Sequence, residues 1–543
     1  MKTVFSFLLA LCISFVFQAQ TDLPQDYLSK DFHKERRQAL REAMPETSVA
    51  VFFANPVRNR ANDVDYVYHQ DPDFYYLTGY KEPHAVLLIF SEDQTTEDGS
   101  VFNEVLYVQE KNPQAEMWTG RRLGVEGAKD ELGFTTAFNG ADFGNSGINY
   151  TSFKKVLFNN FNNDYRDSKR NPADLYSLIE TFKQQVNFDE YQPLSPVKNR
   201  VYEMIKATDV ENSANVAQNI GRITNYYTEL KDDKIIADYA ASTDDKMRSE
   251  LKQQLLKIEA EDKSNLDTSM LPTLMAKLRE IKTEEELVLL TKAVRISAMG
   301  QREVMKAMHP GMSESEIQGI HEYVYKKYGS EYEGYPSIVG AGNNGCVLHY
   351  IENSKMKVEN DLVLMDLGAE YHGYTADVTR TIPASGKFSP EQKAIYDVVY
   401  EAQEAGIAAS VVGASFSDPH VAAQKIINEG LVKLGIISSV DEKHRYFPHG
   451  TSHYLGLDVH DAGTYTPFKP NVVITVEPGI YIPEGSPCDK KWWGIAVRIE
   501  DDILITEKGP VNLSAEAPRK SDDIEALMKE PSALDDFTLP KLD

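Results

Sequence analysis

The hydrophobic pattern of this chain has three regimes. In the first, apolar runs of strand length (residues 48–54, SVAVFFA; residues 86–90; the alternating 101–108) are separated by helical and polar stretches, beginning with the charged helical segment 30–44 (KDFHKERRQALREAM). Strands interleaved with helical segments predict an α/β domain. Residues 58–79 (RNRANDVDYVYHQDPDFYYLTG) read as a surface loop with a buried aromatic cluster, and residues 112–124, 142–165 and 168–171 as polar loops. In the second regime, residues 194–278, apolar positions recur at helical spacing among abundant Lys and Glu, so helices dominate. The third opens with two helices. Thr283 followed by Glu284, Glu285 and Glu286 suits the positive end of a helix over residues 283–308, which Pro310 and Gly311 terminate; residues 313–328 supply the second. A domain boundary falls at residues 277–282. From residue 335 the chain turns to short strands and Gly-rich turns, with helices at 390–410 and 418–434 and strands at 474–482 and 495–505. Turns this tight favour antiparallel pairing over crossovers, which predicts an α+β domain.

Within that domain, residues 361–383 (DLVLMDLGAEYHGYTADVTRTIP) organise the rest. Asp366 closes one apolar run and Asp377 opens the next, with Gly368 and Gly373 between them. Strands folding back on each other would set the two carboxylates face to face. Close carboxylates repel unless a proton or a cation lies between them.

Length and charge narrow the setting. At 543 residues the chain exceeds a single core, so two or more domains are expected. A formal charge of −26 argues against nucleic acid, whose phosphates need a basic face, and disfavours an anionic membrane surface. Residues 1–20 have the form of an export signal: Lys2 at the start, an apolar core over residues 4–17 too short to span a bilayer, and the small Ala19 placed for cleavage. Cys12 follows Leu11 inside that core, a poor context for a lipid anchor. The expectation is an exported chain, periplasmic or secreted, with no membrane attachment after cleavage. Only Cys346 and Cys488 then remain, so the fold does not depend on a disulfide framework, and whether they pair is not readable from spacing. The expected division is a signal at 1–20, an N-terminal domain at 21–193, a helical extension at 194–277, a catalytic domain at 278–520 and an acidic tail at 521–543.

Three further positions join Asp366 and Asp377: His453 in PHGTSHYLGLDVHD, Glu477 in TVEPG and Glu500 in RIEDD. Each alone reads as structural. Together they supply four carboxylates and one imidazole, a set suited to hard or borderline divalent ions such as Mn²⁺, with Co²⁺ or Zn²⁺ as alternatives. Four carboxylates offset most of the charge on two such ions, and paired metals are known to activate water in hydrolases. No HExxH helix and no GxSxG elbow is present.

The motifs VGAGNNGCVLHY (339–350), LMDLGAEYHGYTADVTRTIP (364–383), HGTSHYLGLDVHD (449–461), TVEPGIYI (475–482) and VRIEDDILIT (497–506) resemble the pita-bread metallopeptidase superfamily, aminopeptidase P most of all. The likeness extends to YHQDPDFYYLTGYKEP (68–83) and EMWTGRRLG (116–124) in the first half. It implies a pita-bread catalytic domain behind a creatinase-like N-terminal domain. It implies that Asp366 binds one of two metals, that Asp377 and Glu500 bridge both, and that His453 and Glu477 bind the other. A hydroxide held between the metals would attack the scissile carbonyl, Glu477 would shuttle the proton, and His460 and His349 would stabilise the tetrahedral intermediate. His449, Arg498 and Tyr481 would line the proline side. The implied activity is release of the N-terminal residue from peptides with proline second. A dipeptide-only prolidase and a non-enzymatic peptide-binding protein are the rival readings. A homo-oligomer, dimer or tetramer, is expected. One departure stands out: the family's usual Gly-Met ahead of the TVEPG strand is Asn471-Val472 here.

Overall fold

The computed structural model describes residues 26–96, 99–166, 171–188, 195–210, 212–261, 264–536 and 539. The expected signal at 1–20 lies outside the described residues, as do positions 168–170 of one expected loop. Six strands form the N-terminal sheet: β1 (Ser48–Phe53), β2 (Val86–Thr95), β3 (Val101–Val108), β4 (Ala137–Asn139), β5 (Lys155–Phe158) and β6 (Leu266–Asp267). They lie in the order β4-β3-β2-β1-β5-β6. The central pairs are antiparallel and the flanking pairs, β3/β4, β1/β5 and β5/β6, are parallel. The central strands are covered on both faces. Ala50, Phe52, Leu87 and Ile89 enter the large core shared with the second half of the chain, while Val49, Val51, Val86 and Leu88 enter a separate core closed by helix Leu175–Gln185. That two-sided burial is why these strands read as continuous apolar runs. Helix Lys30–Ala43 lies on the first face. Its fully buried Arg37 donates from Nε to Glu104 on β3 at 2.9 Å and from Nη1 to the Leu77 carbonyl at 2.8 Å.

Several segments read as loops are structured. Residues 58–79 contain a short hairpin (Asn59–Ala61 with Val64–Asp65) and helix Pro72–Thr78, capped by Asp71. Residues 112–124 contain helix Pro113–Thr119, capped by Asn112, none of whose residues is buried. Residues 142–165 contain β5, whose four residues give too short a run to stand out among Asn and Ser.

Helices Pro196–Ala207, Ser213–Tyr226, Lys234–Ala241 and Asp245–Glu261 form the extension. They enclose a core of their own, including Val201, Ile205, Ile220, Ile236 and Leu255. The extension differs from a linker in one respect. Residues 266–267, assigned to it from the sequence, return to the N-terminal sheet as β6, so the bundle is an insertion in that domain. Two residues carry no readable alternation.

Helix Glu284–Ala307 opens the second domain with a capping box between Thr283 and Glu286. Strands β7 (Ile338–Ala341), β8 (Leu362–Leu367) and β9 (Val378–Pro383) form one antiparallel sheet in that order. The stretch read as one strand at 474–482 is two, β10 (Val473–Val476) and β11 (Gly479–Ile482), and the stretch at 495–505 likewise divides into β12 (Ile495–Arg498) and β13 (Asp501–Thr506). β10 pairs with β13 and β11 with β12, all antiparallel. The two breaks fall at Glu477 and Glu500. Asn471, the departure noted above, adopts φ +66°, a left-handed conformation that asparagine tolerates. The segment read as an acidic surface tail begins with helix Ser521–Leu527, whose Ile524 and Leu527 are buried against the domain.

The aromatic motif of residues 68–79 joins the two halves. His69 Nε2 lies 2.9 Å from a Glu370 carboxylate oxygen, Tyr75 donates to the His372 carbonyl at 3.1 Å, and Tyr76 donates to the Leu278 carbonyl at 3.0 Å.

Candidate metal centre

The β8–β9 pairing sets Asp366 opposite Thr379, so Asp377, one residue before β9, lies beside it. Gly368 makes the neck of this hairpin. A Cβ there would meet the Ala376 carbonyl oxygen at 1.7 Å, a distance only glycine avoids. The Tyr335 hydroxyl contacts both acids, 2.6 Å from Asp366 Oδ1 and 2.5 Å from Asp377 Oδ1. The expected meeting of the two carboxylates is therefore present, with a phenol held between them.

The other candidate ligands arrive from separate elements. Glu477 sits at the β10–β11 break, its N–H donating to the Thr451 carbonyl at 2.9 Å. Glu500 sits at the β12–β13 break and accepts from the Thr379 hydroxyl at 2.6 Å. Fully buried Arg380 fixes that break, donating to the Glu500 carbonyl at 2.6 Å and to Asp501 at 2.7 Å. His453 Nδ1 donates to the Tyr454 carbonyl at 3.0 Å, because a carbonyl only accepts. That tautomer leaves Nε2 free of its proton and facing Asp377 at 3.4 Å and Glu477 at 3.7 Å. One donor atom each from Asp377, His453 and Glu500 lies within 4.8 Å of the others.

Charge is unbalanced here. Four buried or half-buried carboxylates face one guanidinium, that of Arg498, which pairs with Asp366 and lies 4.0 Å from Glu500. Burial opposes ionisation of Asp366, yet the Arg498 charge and the Tyr335 hydrogen bond hold it below the ordinary carboxylate range. Asp377 is pushed well up by burial and then by the charges of Asp366 and Asp502. Glu500 is pushed well up by burial and then by Asp377 and Glu477. Glu477 is raised to about 7, by burial first, with Asp366 adding to it and His453 opposing. A crowd of acids that resists ionisation, with an imidazole lone pair aimed into it, fits a divalent cation.

Asp366, Asp377, His453, Glu477 and Glu500 line a cavity of about 810 Å³ together with His349, His449, His460 and Arg498. His349 and His460 are exposed at its mouth, and the His460 ring lies 4.1 Å from that of His453. Partial loss of water on the side facing the cavity, then the charges of His453 and His349, lowers the His460 pKa to about 4. Tyr481 is the exception. It is buried behind the wall, where Arg498 Nη1 donates to its hydroxyl at 2.8 Å and the hydroxyl donates to His449 Nε2 at 2.8 Å. It orients those two side chains and does not itself face the cavity. Sequence reasoning missed Tyr335, Thr379 and Arg380. Tyr335 lies just ahead of the first motif, and its only signal is the extended backbone that Pro336 imposes.

Comparison with known proteins agrees. Residues 288–507 match metallopeptidase family M24, and residues 33–152 match the aminopeptidase P N-terminal domain. The chain is 34% identical to the Xaa-Pro aminopeptidase of Escherichia coli (strain K12), over 92% of this chain and 98% of that one. This chain belongs to the aminopeptidase P family of M24 metallopeptidases. The structure of E. coli aminopeptidase P with the inhibitor Pro-Leu superposes with a TM-score of 0.69 at 32% identity, covering 92% of this chain and 98% of that one. The Pseudomonas aeruginosa aminopeptidase PepP gives 0.71 at 30% identity, covering 93% and 99%. The aminopeptidase P fold thus accounts for both halves, and the helical insertion falls between the two matched regions. M24 membership together with the donor set implies a divalent metal at this centre.

Proposed function

We propose that this chain is an exported Xaa-Pro aminopeptidase, releasing the N-terminal residue from peptides whose second residue is proline. The observation that carries the reading is the convergence of Asp366, Asp377, His453, Glu477 and Glu500 on one cavity walled by His449 and Arg498. Its closest supports are the relatives of that name, matched along nearly their whole length.

Asp366, Asp377 and Glu500 would hold one divalent ion, and Asp377, Glu500, His453 and Glu477 a second. When bound, two such ions polarise the scissile carbonyl and make water nucleophilic near neutral pH, and Mn²⁺ is the ion this oxygen-rich set favours. The chain's own groups do the rest. Glu477 accepts a proton from the attacking water and returns it to the leaving proline nitrogen. His460 and His349 stand at the mouth, placed to donate to the carbonyl oxygen as charge develops on it. The Arg498–Tyr481–His449 chain of hydrogen bonds holds a rigid wall for the proline ring. A tertiary amide lacks an N–H, so recognition by shape replaces recognition by hydrogen bond. Residues 1–20 are the export signal, and the enzyme works as a dimer or tetramer.

The test is hydrolysis of a Xaa-Pro-Xaa tripeptide by metal-stripped protein, with and without Mn²⁺. Metal-restored release of the first residue is expected, falling about a hundredfold or more in Asp377→Ala. Cleavage of Xaa-Pro dipeptides alone would make it a prolidase. Silence on both would leave a binding protein.

A further inference from the structure

The hairpin that joins the two ligand strands projects beyond the metal centre, and its tip is held by the start of the described chain. Residues 369–371 and 374–375 pair across the two-residue turn His372–Gly373, where both φ angles are positive (+51° and +89°), as turns matched to strand twist require. His372 is the anchor. Its side chain is 1% exposed. Its Nδ1 lies 2.6 Å from Glu331 Oε1 and its Nε2 lies 2.9 Å from Asp26 Oδ1. Tyr27 stacks on the same ring at 3.6 Å, with an interplanar angle of 25°, and donates its hydroxyl to Glu331 at 3.0 Å. Asp26 Oδ2 also accepts from the Tyr371 hydroxyl and from Lys292 Nζ, each at 2.7 Å. Tyr27 further closes one side of an interdomain cavity of about 120 Å³, with Lys81 Nζ 3.5 Å above its ring.

A turn residue on a hairpin tip is ordinarily exposed and free to fray. Here Asp26 and Tyr27, more than three hundred positions away, join Glu331 and Tyr75 in enclosing it. The arm is continuous with Asp366 on one strand and with Asp377 on the other, and Gly368 packs the two strands too closely to move independently. Motion at the tip therefore carries the two carboxylates together, relative to His453, Glu477 and Glu500 on other elements.

We propose that Asp26 and Tyr27 form an N-terminal latch that positions the metal-ligand hairpin through His372. Asp26, Tyr27 and His372 are positioning residues and touch neither metal nor substrate. The inference rests on the reading of Asp366 and Asp377 as metal ligands. Its consequence is that Asp26 and Tyr27 contribute to metal retention.

The experiment uses the full chain loaded with Mn²⁺. Metal retained after dialysis against graded chelator is measured alongside kcat and KM on a Xaa-Pro-Xaa tripeptide. The double variant Asp26→Ala/Tyr27→Ala is expected to release metal at about threefold to tenfold lower chelator, below the effect of losing a direct partner of a ligand, with a similar fall in kcat and KM within about twofold. Tyr27→Phe keeps the stack and stays near the unmodified protein. Ile220→Ala, which weakens the helical insertion away from the hairpin, leaves metal retention unchanged. If the double variant fails to fold, Asp26→Asn decides on the same two readouts, with a smaller loss in the same direction. Unmodified retention and kcat in Asp26→Ala/Tyr27→Ala, or in Asp26→Asn where the double variant does not fold, would overturn the latch. An unmodified chain that neither binds metal nor cleaves the tripeptide would overturn the peptidase reading instead.

Discussion

Glu477→Gln separates what the metal centre does for catalysis from what it does to the fold. In metal-free protein Glu477 is raised to about 7, chiefly by burial and then by Asp366. The ordinary glutamate value is 4.5, so the difference corresponds to about 3 kcal/mol at roughly 1.4 kcal/mol per pH unit. The folded pKa is higher than the unfolded one. The protonated form therefore favours the fold, and this contribution is complete below about pH 4 and lost as pH rises through about 7. Glutamine cannot ionise, so it escapes the loss. Metal-free Glu477→Gln should be about 3 kcal/mol more stable than unmodified protein at pH 8, with most of the difference gone at pH 5. For a unit of this size each kcal/mol moves the melting temperature by about 2–4 °C, so the midpoint should rise by roughly 6–12 °C at pH 8. Tryptophan fluorescence is the assay, since Trp492 and Trp493 lie in the catalytic domain while Trp118 is exposed elsewhere. Adding Mn²⁺ should reverse the order, because binding to the folded form stabilises only the protein with a full ligand set. A gain of equal size at pH 5 and pH 8, or none at either, would refute the reasoning.

Three other outcomes follow from single contacts. Gly368→Ala places a methyl group 1.7 Å from the Ala376 carbonyl oxygen and should cost about 3 kcal/mol or abolish folding, seen as loss of soluble protein or of metal binding; normal stability and activity would contradict the neck geometry. Arg37→Met strands the buried Glu104 with only Arg41 beside it and should cost about 3 kcal/mol in urea unfolding, and a loss below about 1 kcal/mol would show the pair to be dispensable. Asn471→Gly should be neutral or slightly stabilising, while Asn471→Val at φ +66° should cost about 1–2 kcal/mol; equal melting of the two variants would remove the left-handed requirement.

Much of this was legible in the residues. The α/β character of the first half, the antiparallel build of the second and the capped start of helix Glu284–Ala307 all follow from short-range patterns, because caps, alternation and turn residues act over a few positions. So does the pairing of Asp366 with Asp377, which lie on consecutive strands of one hairpin. The sequence could not show that β6 returns to the N-terminal sheet after four inserted helices, or that β5 is a strand, since four residues or fewer leave no period to read. Nor could it show that Tyr481 stands behind the wall rather than in the cavity. Its neighbours in sequence alternate faces, and only the β11–β12 register shows which face meets Arg498.

The chemistry of the centre divides in the same way. The sequence by itself determined the donor types, four carboxylates and one imidazole, and hence the class of ion they suit. The tertiary structure decided the electrostatics: that Arg498 lowers Asp366 while Asp377, Glu477 and Glu500 are raised, that Tyr335 bridges two acids, and that Asp26 and Tyr27 reach His372 from the other end of the chain. The reason is that a pKa depends on burial and on charges within a few ångströms. Asp26 meets His372, and Tyr335, Glu477 and Arg498 gather around one cavity, only when segments far apart in sequence pack together.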